Sequence, residues 1–145
     1  FGVVFVTIES QKIGWSEIEK LMKILSKKIT DIPRDFSSIS TISRGGLVPA
    51  RLLADHLEIK TIFADKNKIP SDSIFIDDIY DSGHTFKKII PIAEDPSKLV
   101  FATLFARRGK KYPRQLIYAK KTTGNEYIVY PWDKLEYKRL KKFGM

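Results

Sequence analysis

Residues 73–86 read SIFIDDIYDSGHTF, and the order of residue types in this stretch decides the fold. An apolar run, Ile74-Phe75-Ile76, is followed at once by the carboxylates Asp77 and Asp78, by a third at Asp81, and then by Ser82, Gly83, His84 and Thr85. A core strand has no use for three crowded carboxylates, which repel one another unless something cationic sits among them. A turn needing only solubility has no need of small residues ahead of a hydroxyl. The stretch therefore predicts a strand near 73 to 77, a ligand-binding loop, and a helix from about 85 to 93.

Working outward, apolar patterning predicts further strands near 39 to 42, 59 to 64, 99 to 106, 116 to 120 and 127 to 130, and another over residues 1 to 8. The run LVFATLFA suits a strand buried on both faces. Ser16 with Glu19 predicts a capping box ahead of an amphipathic helix whose inner face is Ile18, Leu21, Met22, Leu25 and Ile29. Pro33 closes the exit of that helix. A second helix, roughly Pro49 to Leu57, is expected to turn Leu52, Leu53 and Leu57 inward. Strands alternating with helices predict an α/β fold, an open, mostly parallel twisted sheet with helices on both sides. Ligands bind such sheets at the carboxyl ends of the strands. Two unusual loops, Ser43-Arg44-Gly45-Gly46 and 77 to 85, fall at such ends.

The chain has 145 residues, enough for one domain with its own core. It has no cysteine, so disulfides and thiolate metal sites are excluded and a reducing, cytoplasmic setting is compatible. No apolar run approaches the roughly 20 residues of a membrane span, and residues 1 to 8 lack the features of a signal peptide. The formal charge is +9, and all of that excess lies in residues 107 to 145. A solvated basic face accounts for this as well as attraction of a polyanionic substrate or of nucleic acid does.

As chemistry, residues 81 to 85 offer backbone N–H groups and the hydroxyls of Ser82 and Thr85 to a phosphate, with Gly83 allowing close approach. Asp77 and Asp78 suit sugar hydroxyls or a hard cation such as Mg2+. Arg44 with Gly45 and Gly46 suits a second anionic group. The pieces describe a sugar carrying phosphates at both ends, although an acidic turn with an N-cap fits the first loop alone.

SIFIDDIYDSGHT resembles the phosphoribosyl-pyrophosphate (PRPP) signature of the type I phosphoribosyltransferases, and TISRGGLVPARLLA resembles the pyrophosphate loop of the bacterial xanthine-guanine phosphoribosyltransferases. The likeness continues through FATLFARRG and EYIVYPWD and covers roughly residues 13 to 133. It implies one phosphoribosyltransferase domain over 1–145, with an extra N-terminal strand (1–12) and a basic base-recognition part (107–145). The resemblance implies that Asp77 and Asp78 meet the ribose hydroxyls of PRPP, directly or through Mg2+. Asp81, Ser82, Gly83, His84 and Thr85 would hold the 5'-phosphate, and Asp81 would also be the catalytic acid/base. Ser43, Arg44, Gly45 and Gly46 would wrap the pyrophosphate. Arg107 would contact the 6-oxo group, Tyr127 would stack on the base, and the Ile128 carbonyl would accept from its ring. Asp133 would help a second metal site.

The implied activity is transfer of phosphoribose to guanine, xanthine or hypoxanthine, in a homodimer or homotetramer with no membrane partner. Three features depart from the family: Arg107 stands for the usual Lys, Tyr127 for the usual Trp, and DKNKIPSD (65–72) for a long mobile hood loop. Eight residues cannot reach over a site in the same way, so either a neighbouring subunit, the N-terminal strand or the basic 107–114 loop supplies the cover, or the enzyme is slow. The alternative is a PRPP- or nucleotide-sensing regulator whose basic surface binds nucleic acid. His84 fits a phosphate contact or a solvent-facing loop, His56 is expected to be structural, and Trp15 and Trp132 to pack.

Overall fold

The structure, a computed structural model, describes residues 9–142. Short strand β1 (Ser10–Lys12) leads into helix α1 (Trp15–Thr30), then β2 (Ser38–Thr41), α2 (Leu47–Leu57), β3 (Thr61–Ala64) and β4 (Ser73–Tyr80). Helix α3 (His84–Ile89) follows, with a 3-10 turn (Ile90–Ile92) and a second one (Pro96–Lys98). Then come β5 (Val100–Ala106), β6 (Leu116–Lys121), β7 (Tyr127–Val129), a 3-10 turn (Pro131–Asp133) and α4 (Lys134–Lys142).

Five strands form one parallel sheet in the order β3-β2-β4-β5-β6. The chain runs from β2 outward to β3, then crosses back to lay β4 on the other side of β2. The strand order therefore reverses between β2 and β4, and the loops leaving their carboxyl ends frame a crevice. Helices α1 and α2 pack with Ile39, Ile74, Ile76, Ala102 and Leu104 on one face, while Ile89 and the turns after α3 join Phe75 and Phe101 on the other. All seven residues of β5 are buried, as a central strand covered on both faces requires.

The inner face of α1 is the expected one: Ile18, Leu21, Met22, Leu25 and Ile29 are all buried. Each such side chain contributes roughly 1.5–3 kcal/mol on leaving water. The expected capping box does not form. The N-cap falls two residues earlier, at Gly14, with no side-chain cap, so Ser16 already lies inside the first turn. In α2 the inward face is Pro49, Ala50, Leu53 and Ala54, and Leu52 and Leu57 are only partly buried against it. Small residues let α2 sit close to the sheet, which an all-leucine face would prevent. The helix expected from 85 to 93 tightens into a 3-10 turn at Ile90–Ile92, where Pro91 ends the regular hydrogen bonding.

The strand expected over 1 to 8 lies outside the described residues. The N-terminal strand that is described, β1, pairs in parallel with β7 in a separate two-stranded sheet. Of the region after residue 107, β6 joins the main sheet and β7 the small one, and residues 134–142, read from sequence as part of a basic tail, form α4. No helix among the described residues is long and apolar enough to cross a membrane.

Candidate active site

The two loops flagged in the sequence face each other across the switch point. β2 pairs with β4 only as far as Thr41 opposite Ile76, whereas β4 continues beside β5 to Tyr80. Asp77 and Asp78 therefore stand on a strand whose neighbour on one side has already turned away into the 42–46 loop. Strand continuation past Asp77 was not expected, and it is what fixes the carboxylates. Asp77 accepts the Asp78 N–H at 2.9 Å and Asp78 accepts the Ile79 N–H at 2.7 Å.

The glycines of the opposite loop are required by closeness. A Cβ on Gly45 would stand 3.1 Å from an Asp78 carboxylate oxygen and 3.3 Å from one of Asp77. One on Gly46 would collide with the Thr41 hydroxyl and lie 2.8 Å from the Ile76 carbonyl. That hydroxyl donates to the same carbonyl at 2.7 Å, tying the end of β2 to β4. Asp65, at the end of β3, accepts the Ser43 N–H at 2.8 Å. Hydrogen bonds from the Ser43 hydroxyl and amide hold the Asp65 carboxyl below its ordinary range. The Ser43–Arg44 peptide bond is cis.

Beyond β4, Gly83 has φ +82° and begins the turn into α3, and a Cβ there would stand 2.7 Å from the Tyr80 hydroxyl. The 77–86 segment lines a cavity of about 170 Å3. Asp81, Ser82 and His84 are exposed at it and Thr85 is half-buried. A larger cavity of about 500 Å3 adjoins Asp78 and is lined by Arg44, Gly45, Tyr127, Asp133 and Arg139 among others. Tyr127 is half-buried and stacks at 5.9 Å on Tyr137 of α4, and Ile128 is buried in β7. Arg139 and Glu136 at this cavity were missed in the sequence, because their helix was read as a solvated tail.

The electrostatics record the crowding. Burial is the main force raising the Asp77 carboxyl, against hydrogen bonds from Asp78 and Thr85 that lower it. Asp78 is pushed up to about 8, first by burial and then by the charge of Asp77, with Asp133 adding to it. Asp133 is itself raised by burial and by Glu136, partly offset by Arg44. Tyr130 supports the pair from behind: its ring is 2% exposed and its hydroxyl donates to the Asp78 carbonyl at 2.9 Å. Trp132 stacks on Tyr130 at 4.8 Å, the packing role expected of it, and Trp15 leans on Trp132 at 5.9 Å. His56 contacts Glu19 at 3.3 Å, a helix-to-helix contact away from the site.

Arg107, at the end of β5, is buried. Its Nε donates to Asp81 at 3.1 Å, and its Nη1 donates to the carbonyls of Gly124 and Glu126. The 65–72 connection opens on Asp65, which holds the Ser43 N–H at 2.8 Å, and then runs to Ile69. Ile69 is buried under the sheet, and its N–H and carbonyl bond to Ile92 and Glu94.

An open parallel sheet with these two loops at its switch point has the architecture of the type I phosphoribosyltransferases. No protein-family model matches the chain. Among curated proteins, the xanthine-guanine phosphoribosyltransferase of Desulfotalea psychrophila is 28% identical over 144 residues, covering 83% of this chain and 84% of the relative. Among solved structures, the xanthine-guanine-hypoxanthine phosphoribosyltransferase of Helicobacter pylori superposes with a TM-score of 0.70 at 18% identity, over 92% of this chain and 99% of that one. The purine phosphoribosyltransferase of Pyrococcus horikoshii gives 0.69 at 19% identity, over 86% and 94%. These likenesses bear out the resemblance drawn from the two loops, and the fold with it.

Proposed function

We propose that the protein is a purine phosphoribosyltransferase, which moves the 5-phosphoribosyl group of PRPP to a 6-oxopurine and releases pyrophosphate. The observation that carries this reading is the approach of Gly45 to the Asp77–Asp78 pair across the switch point, with Gly46 close against the end of β2 and Ile76 of β4. Such an arrangement presents an anion-binding loop and sugar-binding carboxylates to one ligand. The curated relatives named for this activity support it, and nothing in those likenesses favours the sensor alternative.

In this reading Ser43 to Gly46 hold the pyrophosphate, with the Arg44 guanidinium countering its charge, and Arg139 approaches the same cavity from α4. Asp77 and Asp78 receive the ribose hydroxyls. The 81–85 turn, opened by the positive φ of Gly83, gives amides and hydroxyls to the 5'-phosphate. The purine lies against Tyr127, near the buried Ile128, where the wall of α4 excludes water on one side. Attack of the purine nitrogen at C1' forms the N-glycosidic bond as the C1'–O bond to pyrophosphate breaks. The ring proton leaves to a base, and Asp81 faces the ring nitrogen from which it can be held or taken.

The donor set fits Mg2+. Raised carboxyls at Asp77, Asp78 and Asp133 mark unpaired negative charge that a cation would relieve. Among the described residues no three acidic or imidazole groups form a closed metal cage. That is the pattern for an ion held by one or two carboxylates and completed by substrate phosphates. Bound there, Mg2+ would neutralise charge on the departing pyrophosphate.

Asp81 provides the test. Its side chain is 56% exposed, so Asp81→Asn should leave the fold intact. Formation of nucleoside monophosphate, followed by chromatography, is expected to fall by about 100-fold or more, the range for loss of a proton-transfer group. Full activity in that variant would remove Asp81 from the mechanism.

A further inference from the structure

We propose that Arg107 is a positioning residue that braces Asp81 against the 122–126 turn, and that it does not choose between 6-oxo and 6-amino purines. This rests on the reading of Asp81 as the group that faces the purine. The guanidinium has five N–H donors, and four have partners in the ligand-free protein. Nε and Nη2 lie 3.1 and 3.5 Å from the two oxygens of Asp81. Nη1 donates to the Gly124 carbonyl at 3.1 Å and to the Glu126 carbonyl at 2.8 Å. Among the described residues, only the second N–H of Nη2, beside Asp81, is left without a partner.

The same turn is tied from within. The Glu126 carboxylate accepts the Gly124 N–H at 2.7 Å, the Thr123 N–H at 3.2 Å and the Thr123 hydroxyl at 2.6 Å. Burial opposes the charge on Glu126, yet these bonds outweigh it and hold the carboxyl below its ordinary range. Amides of the turn are thus satisfied by Glu126, and Arg107 serves the Gly124 and Glu126 carbonyls, the first shared with the Thr122 hydroxyl at 2.9 Å. Backbone bonds anchor Arg107 as well: its N–H donates to the Tyr80 carbonyl at 2.7 Å, and its carbonyl accepts the Tyr112 hydroxyl at 2.7 Å.

Swinging this guanidinium, whose side chain is only 10% exposed, toward a base would take its donor from the Glu126 carbonyl, leave Gly124 with the Thr122 hydroxyl alone, and release Asp81. The planar fork also explains why Arg stands here. It reaches a carboxylate on one edge and two carbonyls on another, which a lysine ammonium at one point cannot do. The consequence is mechanical: the end of β4, the end of β5 and the turn ahead of Tyr127 move as one piece, so Asp81 and the base pocket keep their spacing.

Two variants of the full chain, Arg107→Gln and Arg107→Lys, test this with kcat and KM for an oxopurine and for adenine. In both variants kcat is expected to fall by about tenfold or more, KM for the oxopurine to stay within about twofold, and the preference over adenine to persist. Adding Arg107→Gln to Asp81→Asn should change kcat by less than about twofold, since the brace then has no carboxylate to hold. A raised oxopurine KM with relaxed preference, or an unchanged kcat, would overturn the proposal. A ligand-free measurement separates this from the reaction itself. The Arg107 Nε–H resonance of the native protein should exchange slowly with solvent, and Asp81→Asn should shift it and speed its exchange. A resonance unmoved by Asp81→Asn overturns the brace. If the native protein turns over no purine at all, the transfer reading fails alone and this resonance still decides.

Discussion

Replacing Asp78 by Asn is expected to stabilise the ligand-free protein while disabling it. Burial and the Asp77 charge push the Asp78 carboxyl up to about 8, against roughly 3.9 for an aspartate in an unfolded chain. Between those values the native state keeps a proton that the unfolded chain has lost. Stability is therefore full below about pH 4 and falls as pH rises from there through about 8. At about 1.4 kcal/mol for each pH unit of that window, the whole fall is on the order of 5 kcal/mol. Asp77 shares the same repulsion, so removing one partner recovers only part of it. Asparagine cannot ionise, and its side-chain oxygen can still accept the Ile79 N–H that Asp78 accepts at 2.7 Å. At pH 8 we expect a gain of about 2 kcal/mol, a rise in Tm of roughly 5 °C for a domain of this size. Near pH 4 the difference should vanish. Thermal unfolding by circular dichroism from pH 4 to 8.5 measures it, with PRPP and Mg2+ added in parallel to show that ligand protection is lost. A variant less stable than the native protein at pH 8, or a difference independent of pH, would refute the reasoning.

The loop opposite the pair should be as intolerant as its glycines imply. Gly46→Ala puts a methyl group on the Thr41 hydroxyl and against the Ile76 carbonyl, so the loop must shift; calorimetry should show PRPP affinity reduced by about tenfold or more, with a stability loss of ~1–3 kcal/mol. Unchanged affinity would mean that the loop does not hold the ligand. Tyr130→Phe removes the 2.9 Å bond to the Asp78 carbonyl from a fully buried ring; urea unfolding should show a loss of about 1–2 kcal/mol, and a smaller effect would mean that water replaces the hydroxyl.

The parallel sheet was legible because its central strands are buried on both faces and read as continuous apolar runs. Both ligand loops were legible because glycine, carboxylate and arginine at strand ends have no use in a core. Other features depend on contacts that no local pattern records. β4 was expected to stop at Asp77, since carboxylates disfavour a strand, yet pairing with Phe105 and Ala106 carries it to Tyr80. α4 was missed because KLEYKRLKK is mostly charged; its helix is supported from one side by Tyr137, which stacks on Tyr127 and bonds to Ser10 at 3.0 Å. With α4 went Arg139 and Glu136. The Arg107–Asp81 pair joins residues 26 positions apart through the adjacency of β4 and β5, and no spacing rule finds it. The capping box failed because the N-cap is Gly14, two residues before Ser16, which places Ser16 inside the first turn.

The central claim is that this crevice joins a phosphoribosyl group to a purine. Pyrophosphate release should be measured with PRPP and Mg2+ in the presence of guanine, xanthine, hypoxanthine or adenine, beside a control without base. The account predicts release that depends on at least one of the three oxopurines and is near the control with adenine. PRPP binding with release no faster in the presence of any base than in its absence would contradict it.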